Sequence, residues 1–194
     1  SAQKQRCCRK FRLNSKKTGI SFTGFVENRV ALQRSNSNLK LRLNLAGNRP
    51  LVLFRGKSND ESGIGVLNEV AQRLVYKVNF LVVTNVPRPV EANLENIAWI
   101  DEYWTEQQLG EFYSLADVAI GQLGMSERLM FTIPHKAFEA AYFKIPYVGF
   151  ASPSLDEAFG VYGYWKLESH DPGEISDYLD KLLCGEKQIG RAHV

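Results

Sequence analysis

The stretch Leu51-Val-Leu-Phe-Arg-Gly-Lys-Ser-Asn-Asp-Glu-Ser-Gly-Ile-Gly-Val-Leu-Asn-Glu-Val-Ala-Gln-Arg-Leu-Val-Tyr-Lys-Val-Asn-Phe-Leu-Val-Val83 holds two short apolar runs with a different pattern between them. Leu51–Phe54 and Val78–Val83 are each about one strand long, and neither alternates apolar with polar residues. A strand wet on one face alternates; a strand buried on both faces does not. Between them Ile64, Leu67, Val70, Ala71 and Leu74 recur at helical spacing, so Gly63 to Tyr76 is read as a helix. Strand, helix and buried strand in this order make a crossover unit, which argues a parallel sheet covered by helices on both sides.

The same alternation continues downstream. Asn85-Val-Pro-Arg-Pro89 ends the second strand, and Ile97–Ile100 is a third. Thr105–Leu115 is a helix with Thr105 as its cap and Leu109, Phe112 and Tyr113 on one side. Val118–Ile120 is a fourth strand, Pro134–Phe143 a helix and Pro146–Phe150 a fifth strand. Its proline stands at the first position, where the missing donor is tolerated. A sixth strand is placed within 162–167. Pro172–Leu183 is an amphipathic helix with Ile175, Tyr178, Leu179 and Leu182 inward. A short helix over 37–45 would lead into the first strand. The fold class expected is α/β, a doubly wound parallel sheet of Rossmann-like form. Ligands of such sheets bind beyond the carboxyl ends of the strands, where the strand order reverses. The loops after Phe54, Ile100 and Ile120 are therefore the places to look for chemistry.

Composition bounds the alternatives. The chain has 194 residues, 44% of them hydrophobic and 23% charged, which is ordinary globular composition and a prior of one domain. No apolar run reaches the roughly 18–20 residues of a membrane span, and no secretory leader is visible at the start. Cys7, Cys8 and Cys184 cannot build a disulfide framework and form no C-x-x-C, which points to a reducing, cytoplasmic setting. No P-loop, H-E-x-x-H or G-x-S-x-G is present. Gly63-Ile-Gly65 lacks the third glycine of a dinucleotide fingerprint, because Asn68 holds that place, so no such cofactor is expected.

The net charge of +3 conceals an asymmetry: residues 1–57 carry fourteen Lys and Arg against Glu27 alone, net +13, and the remainder carries ten against twenty, net −10. Residues 1–48 are expected to form a basic, partly disordered segment or linker, because residues 1–17 hold seven bases and too few apolar groups to offset the entropy of ordering. The other reading of the arm is a polyanionic partner, and a peripheral contact with anionic lipid at the inner membrane face is compatible with it. Nucleic acid is not an expected partner, since only Phe11 offers a ring for stacking. Residues 189–194 read as the in-frame translation of a common sequencing adapter. The tail 185–194 is expected to be non-native, His193 is given no role, and the chain is expected to be a fragment.

At the strand ends, Arg55-Gly56-Lys57 offers a tight turn between two cations that can meet an anion. Thr132-Ile-Pro-His-Lys-Ala-Phe-Glu-Ala-Ala-Tyr-Phe-Lys-Ile-Pro-Tyr147 is the most informative segment. Pro134 and a capping Thr132 fix a helix start, whose free N–H groups and positive dipole end suit an anion near Pro134 and His135. Lys136 in the first turn is unfavourable for an isolated helix, and a bound anion would explain it. Glu139, three residues on, lies on the same face, and its carboxylate suits the vicinal hydroxyls of a ribose. Phe138, Ala141 and Tyr142 are expected to face the sheet. The alternatives are a surface Lys136–Glu139 pair, a His135 that packs locally rather than meeting substrate, and an Arg128 that pairs with Glu127 rather than reaching a diphosphate.

Taken in order, Leu51-Val-Leu-Phe-Arg-Gly-Lys57, Phe112-Tyr-Ser-Leu-Ala-Asp-Val-Ala-Ile120 and Pro134-His-Lys-Ala-Phe-Glu-Ala-Ala141 followed by Ile145-Pro-Tyr-Val148 resemble the C-terminal, donor-binding half of GT-B glycosyltransferases of the group-one type. The resemblance covers roughly Arg49 to Leu183, and implies a nucleotide-sugar-binding domain over 49–184. It implies that Glu139 holds the donor ribose, that Lys57 meets the diphosphate and that the backbone near Ile100 and Asp101 holds the base. Lys57, Arg128 and Glu139 are then the residues expected to bear on catalysis, and Arg55, Gly56, Pro134, His135 and Lys136 to line the site. The implied reaction is retaining transfer of a sugar, hexosyl in type, from a nucleoside diphosphate to an acceptor. Charge growing on the leaving phosphate would be neutralised by Arg, Lys and a helix N-terminus, with no metal and no cofactor. An N-terminal acceptor-binding domain is the implied partner, and the fragment alone is expected to be inactive. Two positions depart from the family pattern: Phe131 stands where a second acid precedes Glu139 by eight residues, and Ser62 stands where a lysine precedes the first helix glycine. A non-catalytic domain of this fold, or an epimerase-like GT-B enzyme, are the alternatives.

Overall fold

The computed structural model describes residues 43–57, 59–102, 105–160 and 163–184. The basic arm through residue 42, position 162 and the tail 185–194 lie outside them, as does most of the short helix expected over 37–45.

Six strands form one parallel sheet: β1 (Leu51–Arg55), β2 (Asn79–Val83), β3 (Ile97–Ile100), β4 (Val118–Ile120), β5 (Tyr147–Phe150) and β6 (Trp165–Leu167). Their order across the sheet is β3-β2-β1-β4-β5-β6, and every adjacent pair is parallel. The chain runs outward from β1 to β3, returns to β4 beside β1, and runs outward the other way. The reversal falls between β1 and β4, the position at which such sheets open a crevice.

Helix α1 (Ile64–Arg73) crosses from β1 to β2, and α2 (Glu106–Leu115) from β3 to β4. Helices α3 (Arg128–Phe131) and α4 (His135–Tyr142) connect β4 to β5; α5 (Pro153–Phe159) precedes β6, and α6 (Pro172–Leu183) follows it. Alternate residues of β1 feed two separate cores. Val52 and Phe54 pack with Leu67, Val70 and Ala71 of α1 and with Ile175 and Leu179 of α6. Leu51 and Leu53 pack with Phe112 and Tyr113 of α2, Ala137 and Ala140 of α4, and Leu155 of α5. Both faces of the sheet are thus dry, which is why its strands carry mainly apolar runs.

Polar residues at strand starts fix the register. The Asp117 carboxylate accepts from the Leu51 N–H at 2.9 Å while its own N–H donates to the Leu51 carbonyl at 2.8 Å, tying β4 to β1. Buried Asn96 donates to the carbonyls of Ala71 and Val78, both at 2.9 Å, joining the approach to β3 with α1 and β2. Thr105 caps α2 in a reciprocal capping box with Gln108. Leu45 is buried in the second core and Asn79 donates to the Ala46 carbonyl at 2.6 Å, so the segment ahead of β1 lies against the sheet.

Two local readings are corrected. Thr132 does not cap α4: the N-cap is Pro134, with no side-chain cap, and the Thr132 hydroxyl donates back to the Arg128 carbonyl at 3.0 Å. Nor do Phe138 and Tyr142 face the sheet. The side of α4 that packs inward carries Lys136, Ala137, Ala140 and Ala141, while both aromatic rings are exposed. Apart from Lys136, the residues that α4 turns inward are all alanines. Phe138 instead turns to Phe159 of α5, with ring centroids 5.4 Å apart.

Candidate functional site

β1 delivers Arg55 and Gly56 to the carboxyl edge of the sheet beside the strand reversal. α4 delivers Lys136 and Glu139 to the same place. Arg55 Nη1 lies 3.2 Å from Glu139 Oε1, and both side chains are about three-quarters or more buried. The other carboxylate oxygen, Oε2, accepts a hydrogen bond from the Tyr113 hydroxyl at 2.7 Å. Tyr113 is itself fully buried and stacks on Phe143 with centroids 5.0 Å apart. Its hydroxyl is pushed well above the usual phenol range, first by burial and then by the charge of Glu139, so it remains a donor at any working pH. Two groups on different elements therefore orient Glu139, and each of its oxygens keeps a lone pair for a further donor.

Lys136 is the unusual member. It is 6% exposed, and its Nζ sits 3.9 Å from the centroid of the Phe54 ring. Among the described residues it has no hydrogen-bond acceptor and no carboxylate within ion-pair distance. Burial, with the Arg55 charge adding to it and Glu139 opposing, lowers its amine to about 7. A Cβ placed on Gly56 would stand 3.2 Å from this Nζ, so the glycine leaves the amine uncovered on its β1 side. The Gly56 N–H is not a free donor, because it continues the ladder to the Val83 carbonyl at 3.0 Å. Gly56 thus contributes clearance.

The remaining candidates sit at greater exposure. Lys57 and His135 are exposed and Pro134 half-buried. Arg128 is 3.5 Å from Glu61, so its acid partner is Glu61 rather than Glu127. Glu61 also accepts from the Ser126 hydroxyl at 3.1 Å, which ties the loop after β4 to the turn after β1. The Ile100 carbonyl is engaged by the Thr84 N–H at 2.9 Å, and Asp101 is exposed just beyond β3. Ser62 is buried, and its side chain closes a capping box with Asn59; this position is interior and has no room for a lysine. Phe131 is 79% exposed at the end of α3.

Sequence reasoning placed Tyr113 only on the inner side of its helix and did not assign Glu61 at all. The signal for Tyr113 is general: a buried phenol needs an acceptor. Glu61 has no local signal, since its partners come from across the fold. A separate cavity of about 520 Å³ among Arg88, Asn93, Leu94, Ile97 and Trp99 shares no residue with this group. Among the described residues no set of His, Cys, Asp and Glu is placed to hold a metal, and no helix is long and apolar enough to cross a membrane.

The strand order and the position of these side chains can be set against solved structures. The catalytic domain of starch synthase IV from Arabidopsis thaliana, bound to ADP and acarbose, superposes with a TM-score of 0.60 at 14% identity, over 78% of this chain and 34% of that one. The chain has the fold of a GT-B glycosyltransferase half. An α,α-trehalose-phosphate synthase (UDP-forming) from Burkholderia vietnamiensis matches with a TM-score of 0.51 at 14% identity, over 78% of this chain and 42% of that one. The trehalose-6-phosphate protein of E. coli bound with UDP-2-fluoro glucose matches at 0.50 and 12% identity, over 76% and 38%. The match therefore spans 34% to 42% of the length of these proteins. No family model matches the chain, and no curated relative does. At these identities the likeness is one of fold.

Proposed function

We propose that this chain is the donor-binding part of a retaining glycosyltransferase that uses a nucleoside-diphosphate sugar. The observation that carries the reading is Lys136. A lysine side chain buried to this degree without an acidic partner, at the uncapped start of a helix and beside the strand reversal, presents an amine that an anion would complete. A diphosphate over Gly56 would do so, with Lys57 closing from the exposed side. Glu139, held by Arg55 and Tyr113, has acceptor capacity left for two ribose hydroxyls.

In the reaction this implies, the bond from the sugar's anomeric carbon to the diphosphate oxygen breaks and its electron pair goes to that oxygen. The acceptor oxygen bonds the same carbon from the same face and its proton passes to the departing diphosphate oxygen, so that the glycoside and the free nucleoside diphosphate are the products. The groups described here act on the leaving side, where fixed positive charge lowers the barrier as negative charge grows. The acceptor and the residues that select it belong to a further domain. The basic arm, and any membrane contact it makes, would serve that larger assembly.

Isothermal titration of the chain with ADP, UDP and GDP tests the reading. At least one should bind, and Glu139→Ala should weaken it tenfold or more, about 1.4 kcal/mol. Glu139→Gln, which keeps the shape and removes the charge, should weaken it as well. Equal affinity in wild type and both variants would remove the ribose role. Phe131, in place of the family's second acid, favours a second reading, a non-catalytic domain of the same fold. That reading is preferred if none of the three nucleotides binds.

A further inference from the structure

The Lys136 amine occupies a position with no ordinary structural purpose. The amine has no acid partner among the described residues, and the Glu139 carboxylate is already engaged by Arg55 and Tyr113. Instead the amine rests on the Phe54 ring, in a place that only the missing side chain of Gly56 leaves open. We propose that an anion seating over Gly56 draws a proton onto Lys136, so that binding at this floor takes up a proton and weakens as the pH rises. The inference rests on the diphosphate reading given above and adds a regulation to the same site.

The charges around the amine fix the direction. From β1, Arg55 repels a proton on Lys136, and from its own helix Glu139 attracts one. From α2, Tyr113 stays neutral and acts only through its hydrogen bond to Glu139. His135, the preceding residue, and Lys57, past Gly56, are exposed. Burial and Arg55 outweigh Glu139, and without a ligand the amine titrates near 7. A diphosphate brings at least two negative charges against it and raises that value again. The complex then holds a proton that the free protein lacks at pH 8. By linkage, affinity falls as pH climbs above about 7, approaching tenfold per unit. Folding follows the same group with the opposite sign. The unfolded chain binds the proton up to the ordinary lysine value, so this amine makes the free protein more stable as pH rises from about 7 toward 10.5.

The experiment is calorimetric titration of the chain with ADP and with UDP at pH 8. Two buffers of different ionisation enthalpy, Tris and Tricine, give the proton count. The terminal phosphate of either nucleotide is fully ionised there, its last proton having left near pH 6. A net uptake of protons on binding, up to one per nucleotide, is expected, with affinity falling severalfold from pH 8 to 9. Lys136→Arg, permanently charged, should bind with no uptake and a flat profile over that range. Lys136→Met should bind more weakly, also without uptake. A carbon-detected NMR titration of the lysine Cε supplies a second readout should either variant fail to fold: the Lys136 signal should titrate near 7 in the free chain and at clearly higher pH with nucleotide bound. Nucleotide binding without proton uptake, or uptake that persists in Lys136→Met, would overturn the inference and leave the diphosphate reading standing. Failure of ADP, UDP and GDP alike to bind between pH 6.5 and 9 would overturn both.

Discussion

Gly63→Ala is expected to destabilise the protein by about 3–5 kcal/mol, read as a fall in the midpoint of denaturant unfolding. Gly63 precedes α1 at φ +66°, a left-handed conformation that costs an alanine about 1–2 kcal/mol. A Cβ at this position would also overlap backbone atoms of Leu123 and Gly124, which cannot swing aside as a side-chain tip can. Those residues are bound there by two hydrogen bonds, Leu123 N–H to the Ser62 carbonyl and Gly124 N–H to the Glu61 carbonyl, both at 3.1 Å. Moving them apart forfeits about 1 kcal/mol for each. The same substitution two residues on has the opposite expectation. Gly65 lies in the first turn of α1 with nothing near its missing Cβ, so Gly65→Ala should be neutral or stabilising by up to about 1 kcal/mol. Similar losses in the two variants would contradict the close contact between the turn after β1 and the loop after β4.

Tyr113→Ala should lose about 3–5 kcal/mol, the usual result of emptying a fully buried aromatic site. Tyr113→Phe separates the ring from the hydroxyl. It keeps the stacking on Phe143 and removes only the 2.7 Å hydrogen bond to Glu139, a bond to a charged acceptor that contributes about 1.5–3 kcal/mol. Nucleotide affinity should fall in Tyr113→Phe as well, because Glu139 is then oriented by Arg55 alone. A Tyr113→Phe protein of unchanged stability and affinity would mean that the hydroxyl does not fix the carboxylate.

The strands were legible because strands dry on both faces are written in mainly apolar runs, as Leu51–Phe54 is throughout and Val78–Val83 is but for Asn79 at the strand start. Capping chemistry placed α2, since Thr105 stands just ahead of its apolar side, and the structure adds Gln108 as the reciprocal partner. Other elements were not legible. Helix α3 has four residues, too few for a period to show, and α5 has seven, although Ser152 and Pro153 spell its start. The inward side of α4 was misread because a hydrophobic residue need not face the core: alanines line that side, and Phe138 and Tyr142 do not. Polarity ordinarily argues that a lysine is outside, yet Lys136 is among the most buried residues of that helix. At the site, Arg55, Gly56, Lys136 and Glu139 do converge. Arg128 is drawn instead to Glu61, a partner that no local spacing announces, and Tyr113 enters through an oxygen that an apolar helix side conceals.

The central claim is that the carboxyl edge between β1 and α4 receives a nucleoside diphosphate. The most direct measurement is an amide NMR titration of the isotopically labelled chain with ADP, UDP and GDP in turn. The largest shift changes should fall on Gly56, Lys57, His135, Lys136 and Glu139. Changes confined to another surface, such as the cavity of Arg88 and Trp99, or none at millimolar nucleotide, would contradict it.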